Sequence, residues 1–311
     1  MGGPAQIIAV QSVRFVLRER IVAALAGLFV MLVLISAWLG WSATATVNSI
    51  YLEAAAFLQK TRQGVPPNPV LDISPLSLMR NMVVYVALIG ALAAIVIGNQ
   101  LVSLDRKSGA VPLINVRPIL PRQYALAKIT ALSALVLGLT GIAALASLAT
   151  FALLPQTGLD AAGWAKLAGF FAVSAVYMIM FGLLALGSAA SCRSEGVGLL
   201  VPVTVWLTLT FILPALTANI LPTAALNPIS AMAPLPESAF FQWAGLVLGP
   251  LSLADAYKVQ AAGFLDFLPQ GYVLRSAIPP LASLVLATLL AGVWAMRALC
   301  RMNRTSGDFD A

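Results

Sequence analysis

Two close pairs of methionines, Met79 with Met82 and Met178 with Met180, are the side chains whose type and spacing most directly suggest chemistry. Paired thioethers are soft donors of the kind that hold Cu(I). Each pair also sits in an apolar run, where methionine ordinarily fills irregular space, and packing is the reading adopted. The two cysteines, Cys192 and Cys300, lie far apart and form neither a CxxC pair nor a disulfide framework. Cys192 reads as a reduced thiol at a helix end. The chain contains no histidine, which removes the commonest general base and the commonest metal ligand. It offers no Ser–His, His–Glu or paired-Asp constellation for hydrolysis. It also lacks GxxxxGK[ST], so it has no phosphate-binding loop of its own. No catalytic residue and no metal ligand is assigned, and the chain is not read as an enzyme.

What remains is a small set of charged side chains and the apolar elements that must hold them. Of 311 residues, 60% are hydrophobic and 9% charged, against roughly 25% charged in soluble domains. A soluble protein this apolar could not cover its surface with polar groups, so the solvent is a bilayer. Crossing one takes about 20 residues at about 1.5 Å each. Uncharged runs of that length occur at 21–41, 81–104, 129–154, 167–191, 196–217 and 276–296. In lipid each must satisfy its own backbone hydrogen bonds, so all six are predicted helices. The expected fold class is an all-α polytopic membrane protein. The run 21–41 is too long, and lacks the A-x-A-like site, to be a cleaved leader; it reads as a first span.

Orientation follows from Lys and Arg in the flanks. One side collects Arg14, Arg18, Arg20, Arg106, Lys107, Arg117, Arg122, Lys128, Arg193, Arg297, Arg301 and Arg304; the other has Lys60, Arg62, Arg80, Lys166, Lys258 and Arg275. The richer side is taken as cytoplasmic, with both termini there. External loops are then 42–80, 155–166 and 218–275, and internal ones 105–128 and 192–195. Residues 196–236 carry no charge, but five prolines from Pro214 to Pro236 argue against a second straight helix in that stretch. The run 239–249 is expected to dip into the membrane or lie on it. Residues 6–20 read as an amphipathic interfacial helix: Gln11, Arg14 and Arg18 share one face, and Ile7, Val10, Leu17 and Ile21 another. The basic charge is not interleaved with aromatics, so nucleic acid is not a partner.

The internal loop reads Asp105-Arg-Lys-Ser-Gly109, an apolar stretch through Val116, then Arg117-Pro118 and Arg122, with Lys128 before the third span. Gly109 and Pro118 punctuate a short helix predicted over 109–116, a knob with Leu113 near its centre. This loop resembles the first cytoplasmic loop of ABC-2 type permeases, in which an acidic residue precedes a Gly-Thr turn, a short apolar helix, a Pro with a nearby Arg, and a Gly-Lys. Ala110, Ala127 and Pro121 depart from that pattern. A second segment, Gly249-Pro-Leu-Ser-Leu-Ala-Asp255-Ala-Tyr257-Lys258 with Gly263-Phe264, is similar to the stretch before the last span of NosY-type permeases, which serve nitrous-oxide reductase maturation. Architecturally the resemblance spans nearly the whole chain; in motif it covers these two stretches.

The resemblance implies a single transmembrane domain over 1–311, working as a homodimer in a bacterial cytoplasmic (inner) membrane. Two copies of a separate P-loop ATPase would bind ATP and Mg, and a periplasmic accessory protein and membrane lipid are the further partners. Asp105, Arg106, Gly109, Leu113, Arg117, Pro118, Arg122 and Lys128 would form the ATPase-coupling loop. Asp255, Tyr257 and Lys258 would face an external partner or the substrate exit, or else belong to a capped helix resting on the bilayer. The alternatives are an ATP-independent carrier or channel and a membrane scaffold for enzyme maturation. The spans carry no internal Asp, Glu, Lys or Arg, which weighs against ion coupling.

Overall fold

The computed structural model describes residues 3–61, 63–68, 74–109, 119–153, 159–217, 239–268 and 278–305. Among these the ordered elements are helical, and six helices are long and apolar enough to cross a membrane. In chain order the helices are α1 (Pro4–Arg18), α2 (Arg20–Lys60), α3 (Pro75–Lys107), α4 (Pro121–Leu153), α5 (Ala161–Ser191), α6 (Glu195–Leu216), α7 (Ala239–Leu248), α8 (Leu253–Phe264) and α9 (Pro280–Thr305). The six spans are α2, α3, α4, α5, α6 and α9.

The helices run further than the apolar counts predicted. α2 has 41 residues, about 62 Å of helix against about 30 Å of hydrocarbon. No Gly or Pro interrupts it between Gly40 and Gly64, so nothing stops propagation where the apolar run ends. Its outer half, expected as loop within 42–80, is helical to Lys60. The returning chain lies against it: Tyr51 donates its hydroxyl to the Pro66 carbonyl at 2.8 Å, and Asn68 donates to Asn48 at 3.0 Å. α5 likewise starts inside the expected loop 155–166. Asp160 caps it by accepting from the Gly163 amide at 2.7 Å, a contact worth about 1 kcal/mol. Proline marks the start of α3, α4 and α9 at Pro75, Pro121 and Pro280, as its fixed φ allows.

α5 is the hub. α3 and α9 lie against it along most of its length, and α4, α6 and α8 complete its surroundings. Small residues permit the approach, as lipid-embedded helix pairs require. A Cβ at Gly98 of α3 would overlap the Gly182 carbonyl oxygen of α5, and one at Gly187 would meet the Trp294 ring of α9 at 2.6 Å. Met79, Met82, Met178 and Met180 are all buried in this core, in agreement with the packing reading.

The segment between α6 and α9 departs most from expectation. α7 lies against the end of α6, and α8 inserts among α3, α5, α6 and α9. Tyr257 of α8 meets Ser174 of α5, eight residues and so about 12 Å along α5 from Lys166, which pairs with Asp266 just past the end of α8. α8 therefore re-enters the bundle rather than resting on it, burying Leu253, Ala254, Ala256, Tyr257, Ala261 and Ala262. Two π-turns, Val86–Gly90 in α3 and Thr208–Ile212 in α6, lie alongside it. The Trp206 indole donates to the Ala87 carbonyl at 3.1 Å, so one π-turn is held by the helix that carries the other.

Gly98→Val should lower stability by about 1–3 kcal/mol through overpacking of α3 on α5. Gly138→Val, where an added Cβ meets nothing within 4 Å, should be nearly neutral by comparison. Thermal unfolding of the two detergent-solubilised variants provides the test, because both carry the same change in helix propensity.

Candidate functional site

The ends of the helices sort the charges. Residues 12–20, 104–109, 120–128, 190–195 and 296–302 converge at one end of the bundle, tied by direct bonds. Of the twelve cations assigned to the cytoplasmic side, ten lie at this end, with Arg117 and the Arg304 side chain outside what the structure describes. The far end has its own clip, in which Asp266 accepts from Lys166 at 2.8 Å and from the Ser74 hydroxyl at 3.2 Å, joining the start of α3, the start of α5 and the end of α8. Asp266 holds a φ of 55° to do so, a conformation uncommon outside glycine.

At the basic end the centre is a buried ion pair. Asp105 in the last turn of α3 and Lys128 in the second turn of α4 approach to 2.7 Å, with Lys128 only 1% exposed and Asp105 14%. Tyr124, one helical turn before Lys128, donates its hydroxyl to the same oxygen that Lys128 approaches, Asp105 Oδ2, at 2.8 Å. Lys128 also donates to the Ser12 hydroxyl of α1 at 2.9 Å. The i, i+4 spacing of Tyr124 and Lys128 puts both on the face of α4 that meets α3. Three helices thus share one carboxylate and one ammonium.

Arg106 continues the network. Its guanidinium donates to the Cys192 carbonyl at 2.7 Å and the Ala190 carbonyl at 3.3 Å, occupying the free carbonyl end of α5. A cation there also complements the helix dipole. Lys107 pairs at 2.8 Å with Glu195 in the first turn of α6, an exposed contact worth little by itself. Gly109 ends α3 at φ 65°, the left-handed C′ position that glycine adopts without a steric penalty. Across the loop, the Gln123 side chain accepts from the Leu120 amide as α4 begins at Pro121.

The expected coupling-loop residues therefore separate. Asp105, Arg106 and Lys128, expected as members of the coupling loop, are turned inward, because an α3–α4 contact this close cannot leave an ammonium out of water without a counter-charge. Arg122 is exposed on the outer face of α4. Leu113, Arg117 and Pro118, with most of the predicted helix 109–116, lie outside the described residues. Sequence reasoning missed Tyr124 and Ser12; the i, i+4 step from Tyr124 to Lys128 was the available signal. The face of α1 that meets the bundle is a third one, distinct from the two read from the sequence. Ser12 and Val16 are buried, with Ile8, Ala9 and Val13 packed beside them, while Ile7, Val10 and Leu17 remain exposed.

In the second expected group Tyr257 is turned inward rather than outward: it is fully buried, stacks on Tyr177 with ring centres 4.5 Å apart and exchanges a hydrogen bond with Ser174 at 3.0 Å. Burial pushes its hydroxyl far above the usual tyrosine range, the Ser174 hydrogen bond opposing and the neighbouring Tyr177 adding to the rise. Asp255 accepts from Ser252, the N-cap of α8, at 2.8 Å and lies 3.9 Å from Lys258. The carboxylate thus stands in the first turn of α8, where the helix dipole favours a negative charge. Lys258 is the half-exposed member of the set. The Tyr177 and Thr210 hydroxyls are buried facing each other, and among the described residues the Asn99 and Gln100 side-chain oxygens are buried with no hydrogen-bond partner.

No protein-family model matches the chain, and no curated protein matches it.

Breaking the buried pair from either side should cost about 3–5 kcal/mol, because the remaining charge stays buried and unpaired. Asp105→Asn and Lys128→Met are therefore each expected to lower the unfolding temperature sharply, and the double variant is expected to be more stable than either. Additive losses in the double would show that the two groups do not interact. For the far group, Tyr257→Phe should cost about 1 kcal/mol at neutral pH. The raised Tyr257 value means that the unfolded chain binds fewer protons than the folded one above about pH 10, so this stability is present below that pH and lost above it. Unfolding of Tyr257→Phe followed from pH 8 to 11 should accordingly show a shallower alkaline decline than the parent.

Proposed function

We propose that the chain is the membrane-spanning permease subunit of an ATP-driven ABC transporter of the ABC-2 type, acting as a homodimer with two separate ATPase chains. The basic end would face the cytoplasm of a bacterial inner membrane, with both termini inside. The observation that carries this reading is the way the base of the 105–128 loop is fastened. Asp105, Tyr124 and Lys128 lock its two ends to each other, Ser12 ties α1 to the same pair, and Arg106 and Lys107 reach α5 and α6. A push on the loop or on α1 is therefore spread over five linked helices rather than absorbed by a flexible connection. A small apolar contact ringed by charge suits a soluble ATPase that must bind with a fixed orientation. With no phosphate-binding loop in the sequence, this proposal assigns ATP hydrolysis to a separate polypeptide.

The NosY-type subtype is the finer part of the proposal. It rests on the likeness of 249–264 to that family's segment, whose Asp255 and Tyr257 here stand in the first turn and the core of α8. In this reading α8 is the element whose fit among the spans changes during the cycle, flanked by π-turns of the kind often found at functional sites.

Affinity purification of the tagged chain should recover a P-loop ATPase. Leu113→Asp should abolish that recovery while the permease still inserts, since an unpaired carboxylate in a docking knob costs several kcal/mol; Arg117→Ala should be mild. Undiminished ATPase recovery with Leu113→Asp would remove the loop from the coupling role. Absence of any ATPase from an active preparation would favour an ATP-independent carrier or a maturation scaffold. Orientation has a separate test. With Cys192 and Cys300 replaced by Ser, cysteines at the exposed positions 63 and 263 should react with an impermeant thiol reagent from outside intact cells, and one at 108 should not.

A further inference from the structure

The first turns of α4 and the last turns of α9 leave between them an open cleft of about 810 Å³. Arg122 and Leu126 stand on one wall, and Met296, Arg297 and Arg301 on the other, with Leu120 at the mouth. The spacing 122/126 and 297/301 is i, i+4 on each helix, so each set projects from one face toward the same space. No acidic side chain lines the cleft among the described residues. Three exposed guanidinium groups gathered at the end of a membrane bundle form a site for an anion.

The other half of the site is apolar and identifies the anion's carrier. From the cleft the α9 wall continues into the exposed apolar stripe of that helix, through Val293, Leu290 and Leu286. The cleft is thus cationic at the bundle end and continuous with hydrocarbon-facing surface along its length. A free phosphate would satisfy the guanidinium groups and leave Leu126 and Met296 bare. An amphiphile with a phosphate head and acyl chains matches both halves, because guanidinium binds phosphate oxygens through paired N–H donors and basic pockets between membrane helices suit acidic headgroups.

We infer that this cleft is a binding site for an acidic phospholipid, with its phosphate held by Arg122, Arg297 and Arg301 and an acyl chain laid along Leu126 and Met296. The inference needs only the membrane-spanning bundle and is independent of the ATPase assignment. A lipid seated there joins α4 to α9 beside the start of the coupling loop.

Native mass spectrometry of the purified chain, incubated separately with phosphatidylglycerol, phosphatidylcholine and phosphatidylglycerol plus excess inorganic phosphate, tests it. The parent chain should retain phosphatidylglycerol in preference to phosphatidylcholine, and inorganic phosphate should not displace it. Arg297→Gln with Arg301→Gln should lower phosphatidylglycerol retention roughly 30-fold, from the attraction of two basic groups. Arg14→Gln with Arg18→Gln removes the same charge from the same end outside the cleft and should leave retention within about twofold. Equal retention of the two lipids by the parent chain, or equal losses in the two double variants, would overturn the site. Complete displacement by inorganic phosphate would overturn the lipid as its occupant. The parent-chain comparisons require no variant and decide the matter if the Arg297→Gln, Arg301→Gln chain does not fold.

Discussion

One ammonium group out of water sets the terms for the basic end of this bundle. Lys128 lies within a helix that must pack closely on α3, and a lysine removed from solvent there needs an anion and further acceptors. Asp105 supplies the charge and Ser12 a hydroxyl, while Tyr124 fills a remaining acceptor position on the carboxylate. Each requirement recruits a different helix, so satisfying one side chain fixes the mutual placement of α1, α3 and α4. Removing both charges would make a simpler core. Retaining them confines the connection between α3 and α4 to one geometry, which an oily contact with many equivalent packings does not do.

The rest of the bundle is organised by the complementary rule. Where no charge has to be matched, helices come together through the absence of side chains, at Gly98 on Gly182 and at Gly187 under Trp294. Van der Waals contact between closely approaching backbones substitutes for the hydrophobic effect, which has little to offer between helices already in hydrocarbon. α5 supplies both glycines of the hub side, which is why α3 and α9 are both organised around it.

The spans were legible in the sequence because their cause is local: an uncharged run of sufficient length has one stable form in lipid. Helix ends were less legible. An apolar count stops where lipid stops, whereas α2 continues to Lys60 because no breaker intervenes before Gly64. The site was legible in part. Asp105, Arg106 and Lys128 were visible as a group, but their inward direction depends on which face of α4 meets α3, a property of two helices that neither sequence contains alone. Tyr257 was taken as outward for a related reason. The ten residues around it look like a surface loop until α8 is seen filling space left among α3, α5, α6 and α9.

The covering of Gly187 by Trp294 has a consequence for how the protein is made. Helices leave the ribosome in chain order, and the partner of this part of α5 belongs to α9, the sixth of the described spans. Until α9 has been synthesised, the groove over Gly187 can be filled only by lipid or by the insertion machinery. Packing around the hub therefore waits on α9, and a chain cut before α9 carries an uncovered small-residue surface in the membrane.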